Sequence, residues 1–87
     1  MIQCASLLVI SKSETAENIK RLMRENAVTP RDLQPFLGLA NVQSIYHWLS
    51  GRSLPSIDNL VLLSHLWNIP INDILRCNEI EYYQSIT

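Results

Sequence analysis

The stretch "TPRDLQPFLGLANVQSIYHWLSGR", residues 29–52, decides the fold because it encodes two short helices joined at a glycine. Its first half carries the signals that begin and end a helix: Thr29 as the N-cap, Pro30 as the first helical residue, Asp32 as the capping-box partner and Gly38 as the terminator. These signals predict a second helix over about residues 30–37.

The second half of the stretch predicts a third helix over about residues 42–50. Asn41 is the best available N-cap, and Gly51 ends the pattern. At about 100° per residue the helix has two faces. The apolar face holds Ile45, Trp48 and Leu49. The opposite face holds hydrogen-bonding side chains in place of the Glu and Lys of a merely solvated surface, namely Gln43, Tyr46, His47 and Ser50.

Helical periods also occur on both sides of this stretch. Ser11 and Glu14 have capping-box spacing before a first helix, and Phe36 is expected on the apolar face of helix two with Leu33 and Leu37. Ser56 precedes the apolar pattern of a fourth helix, whose apolar positions are Ile57, Leu60, Leu63, Leu66 and Trp67. Asn72 is expected to cap a short fifth helix. We therefore expect an all-α domain over residues 11–76, with an N-terminal arm (1–10) and a C-terminal tail (77–87). The run "SLLVI" within the arm leaves open a short strand or an apolar arm laid on the core.

Composition sets wider bounds on the class of protein. A chain of 87 residues holds one core, and its net charge of −1 gives no global basic field. Cys4 and Cys77 lack metal-site or redox spacing, which favours a reduced, cytoplasmic setting without a disulfide. The apolar run near the start is far shorter than the roughly 20 residues that span a bilayer, so no membrane segment is expected.

Residues 18–75 carry a set of motifs that resembles a known family. The motifs are "IKRLMREN", the T-x-x-D-L start of helix two with "LG" at its end, "SIYHW" followed by "GRSLPS", and "NLVLLSHLWNIP" followed by D-I-L. The chain resembles the DNA-binding domain of the phage-repressor and Cro type, also called the XRE family. That resemblance implies a compact, five-helix, lambda-repressor-like fold whose third helix enters the DNA major groove.

The resemblance also implies which residues would contact DNA. By position, the base contacts fall on the start of helix three and one turn later: Val42, Gln43, Ser44 and His47. A glutamine can pair bidentately with adenine, so Gln43 is the leading candidate. Arg52, Tyr46 and Ser50 would contact the DNA backbone, and Asn41 completes the expected site.

Two features depart from the family pattern. Pro30 occupies the position where many relatives carry a glutamine that holds the DNA backbone, so that anchor is expected to be missing. The turn "GLAN" is one residue longer than in the phage repressors, which changes how helix three can sit against helix two.

Other functions have weaker support in the sequence. No catalytic motif occurs, and His47, His65, Cys4 and Cys77 lack metal-ligand spacing, so we expect no enzyme activity, no cofactor and no metal. The favoured function is a small transcriptional regulator, a repressor, that binds double-stranded DNA as a homodimer. The dimer surface is expected on helix four or on tail residues that include Tyr82 and Tyr83. The alternative is a protein-interaction module or antitoxin on the same scaffold, with a protein partner.

Overall fold

Four helices lie between two strands that come from the two ends of the chain. The computed structural model describes the backbone of residues 2–85 and the side chains of residues 9–78. The elements in chain order are β1 (Ile2–Ile10), α1 (Lys12–Glu25), α2 (Pro30–Leu37), α3 (Gln43–Leu49), α4 (Ile57–Trp67), a 3-10 turn (Ile71–Asp73) and β2 (Cys77–Ser85).

The expectation of an all-α, five-helix fold is wrong in two places. The fifth helix expected after Asn72 is a single 3-10 turn of three residues. The N-terminal arm and the C-terminal tail are the two strands of an antiparallel sheet, with Ile2 opposite Ser85 and Ile10 opposite Cys77. The fold is therefore mainly helical with a two-stranded sheet, which we call the ribbon.

The helices begin where the capping signals predict. The Ser11 hydroxyl accepts the Glu14 N–H at 3.2 Å, and the Ser56 hydroxyl accepts the Asn59 N–H at 3.3 Å. Thr29 and Asp32 form a reciprocal capping box at the start of α2. Gly38 ends α2 with φ of 67°, a left-handed conformation in which a side chain would be strained. Local signals alone thus account for three of the four helix starts.

The core is built from the apolar faces of all four helices and from Ile74, which follows the 3-10 turn. Its fully buried members are Ile19, Leu33, Ile45, Leu63 and Ile74, joined by Leu22, Met23, Leu37, Trp48, Leu60 and Trp67. Three residues expected on apolar faces are instead on the surface: Phe36, Ile57 and Leu66. The helical body, residues 11–76, therefore has one core and an apolar patch left outside on α4.

A stripe of buried polar residues on α1 joins the helical body to the ribbon. Ser11, Thr15 and Asn18 lie on one side of the helix. The Ser11 N–H donates to the Arg76 carbonyl at 2.8 Å, and the Thr15 hydroxyl accepts the Arg76 N–H at 2.9 Å. The Asn18 amide donates to the carbonyls of Asp73 and Ile74 at 2.7 and 2.8 Å. These bonds bring the start of β2 beside the end of β1.

The ribbon makes the molecule long and narrow. Its extents are 56 × 24 × 20 Å, and its radius of gyration is 16.3 Å. A globular chain of this length would have a radius of gyration of about 12 Å. Val9 and Ile10, at the base of the ribbon, are exposed. The ribbon therefore extends away from the helices and does not form a layer over their core.

The register of the ribbon also separates the two cysteines. Cys77 pairs with Ile10, whereas Cys4 pairs with Tyr83 near the other end of the ribbon. At about 3.3 Å per residue, the two positions are about 20 Å apart, well beyond the reach of a disulfide. Met1, Ile86 and Thr87 lie outside the described residues, as do the side chains of the tyrosines expected at a dimer surface.

Candidate nucleic-acid interface

The third helix has the two faces that the sequence predicts. Ile45 is fully buried and Trp48 is 4% exposed, so these two side chains hold α3 against the core. On the outer side, Tyr46 is 48% exposed. The exposed polar side chains of α3 and its C-cap, which we call the polar row, are Gln43, Tyr46, His47 and Ser50.

Most of the polar row has hydrogen-bonding capacity to spare. Among the described residues, no side-chain hydrogen bond engages the Gln43 amide, the Tyr46 hydroxyl or the His47 ring. The Ser50 hydroxyl donates to the His47 carbonyl at 3.1 Å and keeps its acceptor capacity. Polar groups of this kind on a helix that is fixed by its buried face are available for an external partner.

The start of α3 differs slightly from the expected one. The helix begins at Gln43, and Val42 is the formal N-cap, without a side-chain bond. The Asn41 side-chain oxygen nevertheless accepts the Gln43 N–H at 2.9 Å. Asn41 therefore caps α3 with its side chain, as the sequence predicts, but from the residue before the N-cap position. Val42 and Ser44 are half-buried, and they flank Gln43 at this end.

The longer turn between α2 and α3 is held by a residue that the sequence interpretation missed. The Gln34 side-chain amide donates to the carbonyls of Leu39 and Ala40, both at 3.3 Å. Together with the Asn41 cap, these bonds fix both ends of the turn. No spacing rule in the sequence points to these bonds, because both acceptors lie in the irregular turn beyond the end of α2.

Arg52 is tied to the end of α3 through its backbone. The Arg52 N–H donates to the His47 carbonyl at 3.0 Å, while the side chain is exposed. Gly51, with φ of 78°, makes the preceding turn, and a β-carbon there would lie 3.5 Å from the Ser13 α-carbon of α1. The guanidinium is thus placed beside the polar row by a turn that packs closely on the helical body.

The charge around α3 differs from the charge of the whole chain. Between Asp32 and Asp58 the sequence contains no acidic residue and a single cation, Arg52. The net charge of −1 therefore comes from other segments. Because exposed charges are screened over about 8 Å at physiological salt, the local balance matters more to a partner at α3 than the net charge does.

The cations of α1 are largely committed within that helix. The Lys20 ammonium lies 3.1 Å from the Glu17 carboxylate, and the Arg21 guanidinium lies 2.9 Å from both Glu25 oxygens. Arg21 also donates to the Asn18 side-chain oxygen. Of these three neighbouring cations, Lys20, Arg21 and Arg24, the last has no ion pair among the described residues.

The start of α2 holds an ionised carboxylate, Asp32, beside the exposed cation Arg31. The Asp32 carboxylate accepts the Thr29 N–H at 2.9 Å and the Thr29 hydroxyl at 2.8 Å. These two bonds, the backbone one foremost, lower the pKa of Asp32 below its ordinary value of 3.8, so the carboxylate is ionised at neutral pH. Pro30 has no N–H, and the capping box engages the N–H groups of Thr29 and Asp32. This helix end therefore offers few backbone donors to a phosphate.

Three further observations bear on other kinds of site. In the part of the chain with described side chains, no group of three or more His, Cys, Asp or Glu residues is placed to hold a metal ion. A groove beside α1 is lined by charged residues, including Arg21, Arg24 and Arg76, and none of the expected DNA-contacting residues lines it. No helix among the described residues has the length and apolarity needed to cross a membrane.

Comparisons of the chain with protein-family models, with curated proteins and with solved structures find no match.

Proposed function

We propose that the protein binds double-stranded DNA sequence-specifically through α3, as a small transcriptional regulator of the phage-repressor and Cro type. The observation that carries this proposal is the polar row: exposed hydrogen-bonding side chains on a short helix held by Ile45 and Trp48. A helix of these dimensions fits the major groove, where base edges offer the complementary donors and acceptors.

Within the polar row, Gln43 and His47 are one helical turn apart and would face the bases together. The free Gln43 amide has the donor and acceptor pair that adenine requires, and the His47 ring can donate to guanine or to a phosphate. Val42 and Ser44 would contact the bases on either side of Gln43. Asn41, whose oxygen already caps α3, would act by holding the helix start and would use its remaining amide hydrogens for DNA.

Backbone contacts would come from the far end of α3. Arg52 supplies the cation, and Tyr46 and Ser50 supply hydroxyls on the same side of the helix. The anchor that the family places at the start of α2 is replaced here by Pro30, and the capping box engages the neighbouring backbone N–H groups. DNA would therefore be held mainly at the α3 side of the molecule. The affinity for non-specific DNA should be lower than that of a protein with both anchors.

A regulator of this type would act as a homodimer in the cytoplasm. Two copies would place their α3 helices in successive major grooves, one helical turn of about 34 Å apart, and read a palindromic site. Repression would follow where that site overlaps a promoter.

The proposal is tested by selecting bound sequences from random DNA and measuring affinity for the selected site. Gln43→Ala should cost about 1–3 kcal/mol at one base position and relax the preference there. Arg52→Ala should weaken binding to all sequences and lower the slope of log affinity against log salt by about 1, whereas Arg52→Lys should keep most of that slope.

The two histidines supply a matched control. His47→Ala should weaken binding to the selected site, while His65→Ala, an exposed position on α4, should leave it unchanged. No DNA binding at low salt, or equal effects of the two histidine variants, would contradict the DNA-binding proposal.

A protein-interaction module or antitoxin is the second candidate, and the charge distribution on α1 and α2 favours it. Lys20 and Arg21 are paired within α1, and the ionised Asp32 offsets the charge of Arg31 at the start of α2. In that case α3 would bind a protein, and the affinity of the partner would respond only weakly to salt. Measuring the salt dependence of whatever binds α3 distinguishes the two functions.

A further inference from the structure

The ribbon has two open edges. Within residues 2–85, β1 pairs with β2 alone, and the sheet has no third strand. Each nine-residue strand therefore leaves its outer backbone N–H and C=O groups unpaired along one side. An isolated two-stranded ribbon in water is only marginally stable, and three or more strands are normally needed for independent stability.

The two edges differ in how well they are protected against pairing with another chain. Natural edge strands are usually blocked by charges, prolines or bulges. The strand β2 contains two glutamates, Glu79 and Glu81. The strand β1, "IQCASLLVI", contains no charged residue, no proline and no glycine. The edge of β1 is thus the unprotected one.

We propose that β1 pairs antiparallel with β1 of a second copy of this chain, forming a four-stranded sheet in the order β2, β1, β1, β2. The full length of the two strands can pair only if the two-fold axis passes through Ser6, the middle residue of β1. Ser6 of one copy then lies opposite Ser6 of the other. The acidic strands then lie at the outer edges. Pairing through β2 would instead bring four glutamates together.

A second apolar surface competes for this role. On α4, Ile57 is 78% exposed and Val61 is 40% exposed. That patch is interrupted by the exposed Asp58 and His65, and its helix has no unpaired backbone groups to satisfy. The β1 edge offers both an uncharged sequence and a row of free hydrogen-bonding groups, so the dimer is assigned to β1. The assignment supplies the dimer that the proposed DNA-binding function uses, but it is tested without DNA.

The test is the molar mass of the full chain, measured by sedimentation and light scattering from about 1 µM to about 500 µM, because a strand-edge dimer forms by mass action. Ser6→Lys should raise the dimer dissociation constant about fivefold or more, since it places two lysines at the two-fold axis. Because Ser6 lies opposite Glu81 within one chain, the same lysine gains an opposite charge across its own ribbon. Ser6→Thr is the neutral control and should leave the dimer unchanged.

A charge-reversed partner makes the test specific to pairing at Ser6. The double variant Ser6→Glu with Glu81→Lys keeps opposite charges across its ribbon but should also dimerise poorly with itself. Mixed with Ser6→Lys, it should form a heterodimer, which native mass spectrometry resolves. A wild-type chain that stays monomeric throughout, a Ser6→Lys chain that dimerises as well as wild type, or dissociation by Val61→Glu without any effect of Ser6→Lys would overturn the assignment. Failure of DNA binding with the dimer intact would overturn the proposed function alone.

Discussion

The helical body and the ribbon are stabilised in opposite ways. The body, residues 11–76, is held by a core in which five residues are fully buried and by caps that act over three residues of sequence. The ribbon joins residues as distant as Ile2 and Ser85, and at its base Val9 and Ile10 remain exposed. The helical body therefore depends on buried side chains. The ribbon depends on backbone pairing and on the contacts that bring the two chain ends together.

The largest expected effect comes from removing an anchor of the body. Trp48→Ala should lower the free energy of unfolding by about 3–5 kcal/mol, because it leaves a large cavity under α3. Tyr46→Ala, on the exposed side of the same helix, should change it by about 0.5 kcal/mol or less. Urea denaturation followed by far-UV circular dichroism measures both. Similar values for the two would mean that α3 is not held by its inner face.

The second effect lies at the joint between the two regions. Asn18→Ala removes the donors to Asp73 and Ile74 and leaves both carbonyls without their partner, at a cost of about 2 kcal/mol. Hydrogen exchange of the β2 amides should accelerate more than that of α4. Asn72→Ala, at an exposed position, is the control. Unchanged exchange in β2 would show that the ribbon does not depend on the joint.

The third effect tests whether the body folds without the ribbon. A chain trimmed to residues 10–77 keeps the Ser11 bond to Arg76 and should lose about 1 kcal/mol or less, because the described core residues all lie within residues 19–75. The helical circular dichroism signal and a cooperative thermal transition should persist. Loss of the transition would mean that the ribbon is part of the folding unit.

The smallest effect is a pH dependence at the start of α2. The pKa of Asp32 is lowered in the folded protein, so the ionised carboxylate stabilises the fold at pH values above 3.8, the ordinary pKa of the group. This contribution disappears as the pH falls through the pKa of the folded state. Asp32→Asn should therefore lower the melting temperature slightly near pH 7 and not at about pH 2. A difference between the two proteins that does not vary with pH would contradict the capping-box origin of the shift.

The sequence predicted the interactions whose partners lie within one helical turn of each other and missed the others. Thr29 with Asp32 and Ser56 with Asn59 act within one turn, so residue type and spacing were enough to predict them. The polar row was predicted because a helical period fixes which residues share a face. Gln34 was missed because its partners lie in an irregular turn whose shape no spacing rule describes.

The pairing of the two strands of the ribbon was not predicted from the sequence. The run "SLLVI" was compatible with a strand, but its partner is at the other end of the chain. The tail "CNEIEYYQSIT" alternates polar and apolar residues only over 79–82, and that short pattern does not identify which segment it pairs with. The exposure of Ile57 and Leu66 was missed for a related reason. When a helix is apolar on several sides, its sequence does not indicate which side the rest of the protein covers.

The residues alone specify the four helices, the N-caps of three of them and the two faces of α3, because these depend on contacts within a few residues. The packing of the whole chain is needed to form the ribbon from the chain ends, to bring the start of β2 to Ser11, Thr15 and Asn18, and to place the α2–α3 turn against Gln34. Those outcomes depend on which distant backbone groups meet. A hydrogen bond between them is determined by the packing of the whole body, and the local pattern contains no information about it.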